Sequence, residues 1–131
     1  MKSHQALIKS YIRMWPRQVY TVKNGNKHFE SVKKELRQQP GVYILYRDGT
    51  PYYVGQAGNL WYRIRNHAIN QNAKHYHLWT HFSAFILFDT EYIDELEGMI
   101  IAAFGMGIAN SARRRMKRIL LPQDITKELS K

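Results

Sequence analysis

The amino-acid sequence predicts a small α+β domain, a three-stranded antiparallel sheet flanked by helices with an extra helical segment at the N-terminus. Three observations predict it. Residues 42–47 and 51–54 are rich in β-branched and aromatic types and flank Asp48-Gly49, which reads as a hairpin. Residues 82–88 form a further apolar run of strand length. Residues 92–104 show a clear helical period that stops at Gly105 and Gly107. At 131 residues one domain is expected, and 44% hydrophobic residues, including 13% aromatics, are enough to bury a core.

Taken in order, residues 3–14 read as a first amphipathic helix carrying Ala6, Leu7, Ile8, Tyr11 and Ile12, with Trp15 beyond it and Pro16 as its stop. Residues 17–27 are polar, with Asn24-Gly25-Asn26 at a turn. Residues 29–38 read as a second short helix that Pro40-Gly41 ends. The hairpin follows. A third helix fits residues 59–71 with Asn59 as its cap, and it forms the crossover to the third strand. The fourth helix is residues 92–104, and a basic tail follows from Arg113 to Arg118. The division expected is a core of about 40–111, a helical extension over 1–39 and a basic tail over 112–131.

Twenty Lys and Arg against ten Asp and Glu leave a net charge of +10. Such an excess points to a polyanionic partner, most often nucleic acid, although basic charge also serves solubility alone. There is no cysteine, so disulfides and thiolate metal sites are excluded and a cytoplasmic protein is expected. No span of about 18 apolar residues or signal-peptide core is present, so no membrane is expected as a partner. The basic amphipathic first segment would suit a membrane surface or, more commonly, packing on its own domain.

Three local patterns carry chemistry. On the fourth helix Ile93, Leu96, Ile100, Ile101 and Phe104 make one apolar stripe, and Glu97 projects from within it, whereas Asp94 and Glu95 do not. A carboxylate there needs a metal ion, an Arg partner or a route to water at the stripe's edge. In the hairpin, a three-residue loop over 48–50 would pair Arg47 with Pro51 and Leu45 with Tyr53. Tyr43 would then lie opposite Gly55, diagonal to Tyr53 on the same face; a two-residue loop would put the tyrosines on opposite faces. On the third helix Arg63 and His67 are four apart and share a face, while Leu60, Ile64 and Ala68 make the buried side. Arg suits phosphate and His moves protons near neutral pH, but each pattern alone also fits aromatic packing or a solvated face.

Together they match a family pattern. Gly41-Val42-Tyr43, Tyr53-Val54-Gly55, Arg63 eight residues on, His67, Glu97 on a helix and then Asn110 resemble the GIY-YIG nuclease family over about 41–110. Valine replaces both isoleucines of the family name, and Met106-Gly107-Ile108-Ala109 stands where a proline usually precedes the asparagine. The resemblance implies a metal-dependent endonuclease that hydrolyses DNA phosphodiester bonds with one Mg²⁺ or Mn²⁺ per site. Glu97 would hold the metal, Arg63 a phosphate oxygen, and Tyr43 or Tyr53, helped by His67, would position or deprotonate the attacking water. Asn110 would hold a phosphate or help fix the site. Arg113, Arg114, Arg115, Lys117 and Arg118 would then track phosphates, with Lys2, Lys9, Arg13 and Arg17 extending the basic surface. A monomer or weak dimer is expected, and because a single site cuts one strand, a double-strand break would need a dimer or two visits.

Two other classes of function compete. One is a binding module on the same scaffold without catalysis, which the charge fits equally. The other is an accessory protein that docks a partner through Leu7, Tyr11 and Trp15 of its first helix. His75, His77 and His81 form H-x-H-x₃-H, for which a polar loop is a better reading than zinc, and Tyr76 and Trp79 beside them suit either base stacking or core.

Overall fold

The computed structural model of the chain describes residues 6–23, 25–105, 119–122 and 127–130. Strand β1 (Ile8–Pro16) leads through a 3₁₀ turn (Arg17–Tyr20) into helix α1 (Lys27–Leu36). The hairpin β2 (Gly41–Arg47) and β3 (Thr50–Ala57) follows, then α2 (Leu60–Ile69), β4 (His81–Leu87) and α3 (Ile93–Phe104). The sheet order is β1-β4-β2-β3, with every pairing antiparallel.

The α+β class holds, but the sheet has four strands among the described residues, not three, and the expected first helix over 3–14 is the edge strand β1. The apolar residues of that segment fit helical spacing, yet backbone pairing along β4, from Ile8 opposite Leu87 to Pro16 opposite His81, decides the outcome. A register shift between Ile12 and Trp15 interrupts the strand's alternation and hides it from a period-2 reading. Within it Met14 adopts φ 56° and donates its N–H to Ser83 Oγ at 3.0 Å. The proposed docking helix is therefore absent: Leu7 and Tyr11 are exposed beside and on a strand, and Trp15 packs partly into the core.

The sheet buries both faces unequally. Tyr43, Leu45, Phe82, Ala84, Ile86 and Ile12 face α1, α2 and the 3₁₀ turn in the main core. There Leu60 and Ile64 are fully buried and Ala68 is 1% exposed, as the apolar side read for this helix requires. Each large aliphatic so buried contributes about 1.5–3 kcal/mol. On the other face Val42, Ile44, Val54 and Leu87 meet α3 through Ile93, with Leu96, Ile100, Ile101 and Phe104 half-buried. Both long connections are capped by asparagine. Asn26 Oδ1 accepts from His28 N at 2.8 Å, and Asn59 Oδ1 accepts from Gln38 N at 3.0 Å as well as from Tyr62 N. Asn59 thus ties the start of α2 to the end of α1.

Candidate active site

The hairpin places two tyrosines by a route different from the expected one. Asp48 (φ 50°) and Gly49 (φ 86°) form a two-residue turn in which Arg47 pairs with Thr50, so the three-residue loop is corrected. Tyr43 still lies opposite Gly55 and Leu45 opposite Tyr53, because the register shifts between Tyr46, which pairs with Pro51, and Leu45. Tyr52 is the additional residue, and this bulge restores the phase that a two-residue loop alone would have lost. It also sends Tyr52 and Tyr53 to the same core.

Tyr43 lies across Gly55. A Cβ on Gly55 would overlap the Tyr43 ring carbon and hydroxyl, and one on Gly41 would meet the Phe85 carbonyl and Leu60. Both motif glycines are thereby required by close approach. The Tyr43 hydroxyl and His67 Nε2 are 2.9 Å apart, which joins β2 to α2 as the i, i+4 face shared with Arg63 requires. Tyr53 and His67 meet edge to face at 6.0 Å, and Tyr53 and His75 lie 4.4 Å apart. His75 is buried and bonded through Nδ1 to the Tyr52 hydroxyl at 2.9 Å. His67 Nδ1 is buried without a hydrogen-bond partner.

This polar and aromatic cluster has perturbed acidities. Burial, then the charges of His75 and Arg63, lower the His67 pKa to about 4, so its ring is neutral at neutral pH. Burial likewise lowers His75, with Lys74 adding to it. Burial raises Tyr43 far above its usual value, with Tyr53 and Glu97 adding to it; the Arg63 guanidinium opposes them by charge and by a hydrogen bond. Tyr53 is raised by burial and then by Glu97, against Arg63 and a hydrogen bond with Tyr43. Tyr43 is fully buried while Tyr53 is only half-buried, so Tyr53 is the hydroxyl on the solvent side.

Glu97 is half-buried on α3 and accepts from Gln56 Nε2 at 3.2 Å; the same nitrogen donates to Asp94 Oδ1 at 2.8 Å. Gln56 lies opposite Val42 on the apolar sheet face, so its polar end is aimed at α3. Among the described residues no group of three or more His, Cys, Asp or Glu converges to enclose a metal. The Glu97 carboxylate, held beside Asp94 by one Gln56 amide, offers oxygen ligands of the kind taken by a hard, hydrated cation such as Mg²⁺ or Mn²⁺, which keeps most of its waters.

Tyr43, Tyr53 and His67 are in contact, and Arg63 hydrogen-bonds the Tyr43 hydroxyl; Glu97, on α3 over the other sheet face, reaches the two tyrosines through its charge alone. Asn110 and the run Arg113, Arg114, Arg115, Lys117 and Arg118 lie outside the described residues. Arg17 belongs to the scaffold: it donates to the Ala68 carbonyl at the end of α2 at 2.8 Å and lies over Tyr76 and Trp79. Trp79 is core, and the three histidines diverge. His75 is inside, His77 is exposed against Tyr76, and His81 bonds Thr80. His75, Tyr52, Gln56 and Asp94 are the neighbours missed in the sequence; only Gln56 carried a signal, as a polar residue in phase with Val54.

No protein-family model matches this chain, and no curated protein matches it. Among solved structures the chain is similar to the GIY-YIG N-terminal endonuclease domain of UvrC from Thermotoga maritima. The magnesium-bound form is 22% identical with a TM-score of 0.43, covering 57% of this chain and 91% of that one. A point mutant of the same domain bound to its catalytic divalent cation is 21% identical with a TM-score of 0.43, covering 57% of this chain and 90% of that one.

Proposed function

We propose that this chain is a GIY-YIG-type endonuclease that hydrolyses phosphodiester bonds in DNA with one divalent metal ion. The observation that carries this reading is the linkage of Tyr53, Tyr43 and His67 beside Arg63 and within the field of Glu97. Glu97 would hold the ion. When bound, a divalent cation supplies positive charge for the scissile phosphate and offsets the Glu97 charge that raises both tyrosines.

The chain's own residues account for the rest. Arg63, exposed and beside the Tyr43 hydroxyl, binds a phosphate oxygen through its planar donor fork. Tyr53 meets the attacking water from the solvent side. As water gives a proton to Tyr53, the Tyr53 proton passes to Tyr43 and the Tyr43 proton to His67 Nε2. Both tyrosines are neutral before and after, which their raised pKa values favour; His67 is neutral but a weak base, and a phosphate bound at Arg63 offsets part of the charge that holds its pKa down. Asn110 and the cations 113–118 are proposed to hold flanking phosphates. A cytoplasmic location and a monomeric or weakly dimeric state are part of the same proposal. Among the described residues no helix is long and apolar enough to cross a membrane.

The test is incubation of labelled single-stranded, duplex and branched DNA with Mg²⁺, Mn²⁺ or EDTA. Metal-dependent scission leaving 5′-phosphate and 3′-hydroxyl ends is expected. Salt-sensitive binding without scission under either metal would replace the nuclease by a binding module.

A further inference from the structure

Two surface hollows meet on the outer side of α2. One, about 290 Å³, is lined by Gly58, Asn59, Tyr62, Arg63 and Asn66. The other, about 350 Å³, opens between α1 and α2 over Trp61 and carries Lys33, Arg37 and Arg65 on its walls. They share Asn59 and Tyr62, so they are adjacent along one side of α2, from Arg63 beside the Tyr43 hydroxyl to three further cations, and the pair is termed a trough.

Its chemistry selects an extended anion. No acidic residue lines either hollow, and both are open to solvent, unlike the enclosed apolar pocket that a compact neutral ligand needs. Arg65 is half-buried and lines the second hollow, with its Nε turned inward. Tyr62 stands at the junction 68% exposed, its ring accessible to a stacking base. Cations spaced along a groove with an exposed ring between them are what an unpaired nucleic-acid strand requires, phosphates on the cations and a base on the ring.

We propose that this trough holds the unpaired strand flanking the scissile phosphate. Lys33, Arg37 and Arg65 take successive phosphates and Tyr62 stacks one base. The inference rests on the nuclease reading only for the phosphate at Arg63. It makes the enzyme dependent on unpaired nucleotides on the side of the cut that the trough holds.

The test measures binding of a fluorescein-labelled single-stranded oligodeoxynucleotide by anisotropy in EDTA, across a salt titration, with the full chain. Each phosphate contact on a single strand contributes about 0.7 to the slope of log affinity against log salt, so Lys33→Ala with Arg37→Ala flattens it by about 1.4. Tyr62→Ala weakens binding roughly tenfold, and Tyr62→Phe restores it. Lys23→Ala with Lys127→Ala, on exposed positions away from the trough lining, is the charge-matched control and changes the slope less. An equal change in the control pair, or a Tyr62→Ala affinity within twofold of wild type, overturns the trough. A parallel cleavage reaction in Mg²⁺ separates the two ideas. Cleavage with an unaltered binding slope in the double variant sinks the trough alone, and the expected binding pattern without cleavage sinks the nuclease alone.

Discussion

Replacing Tyr43 by Phe removes one oxygen from the middle of the site and leaves its packing in place. The hydroxyl is fully buried and 2.9 Å from His67 Nε2, and His67 Nδ1 already lacks a partner. Tyr43→Phe therefore strands both nitrogens of one half-buried ring. Leaving a buried polar atom unpaired costs about 1–3 kcal/mol. At roughly 4 °C per kcal/mol for a chain of this length, the melting temperature falls by about 4–12 °C. The His67 pKa stays well below its usual value, because burial, His75 and Arg63 set it. The relay from Tyr53 is cut, so single-turnover cleavage slows by about 10²–10⁴-fold, the usual worth of a positioned proton transfer. The assay pairs thermal unfolding with single-turnover kinetics below the melting temperature of the variant. A folded Tyr43→Phe protein that cleaves within a few-fold of wild type would refute the relay.

Other outcomes follow from the same geometry. Gly55→Ala forces a Cβ into the Tyr43 ring and hydroxyl, at a cost of about 1–3 kcal/mol, and moves that hydroxyl off His67; an unchanged melting temperature would contradict the packing. Arg17→Ala removes the donor to the Ala68 carbonyl and a cation over two rings, so stability falls by about 1–3 kcal/mol while DNA affinity is unaltered. Loss of affinity without loss of stability would return Arg17 to the binding surface. Folded His67 titrates near 4 and an unfolded imidazole at 6.5, so between those values the unfolded chain binds more protons. The stability present above about pH 6.5 is accordingly lost as pH falls toward 4, and denaturant midpoints should show a shallower decline in His67→Gln. An identical pH dependence in that variant would remove His67 as a source of the acid sensitivity.

The hairpin, α2, β4 and α3 were legible because their signals are local. Asp48-Gly49 makes the turn, Asn59 caps α2, and the Leu60, Ile64 and Ala68 stripe matches the buried side of that helix. The tyrosine pairing was reached with the wrong loop length, because a bulge at Tyr52 compensates the shorter turn. β1 was not legible. Its apolar residues satisfy a helical period, and only pairing with β4, more than 60 residues away in sequence, makes them a strand. The same holds for His75, which the connection after α2 folds under Tyr52 and Tyr53 without any spacing that announces it. Glu97 drew attention by its place in the α3 stripe and was chosen through the family resemblance, whereas its hydrogen-bond partner Gln56 required the strand register.

The most direct measurement of the central claim is single-turnover cleavage of labelled DNA in Mg²⁺ by wild type and by Glu97→Ala, with a folded state verified for both. Metal-dependent cleavage by wild type, lost by at least about 10²-fold in Glu97→Ala, is the result predicted when the only half-buried carboxylate among the described residues holds the ion. Equal cleavage by the two proteins, in preparations free of other nucleases, would contradict it.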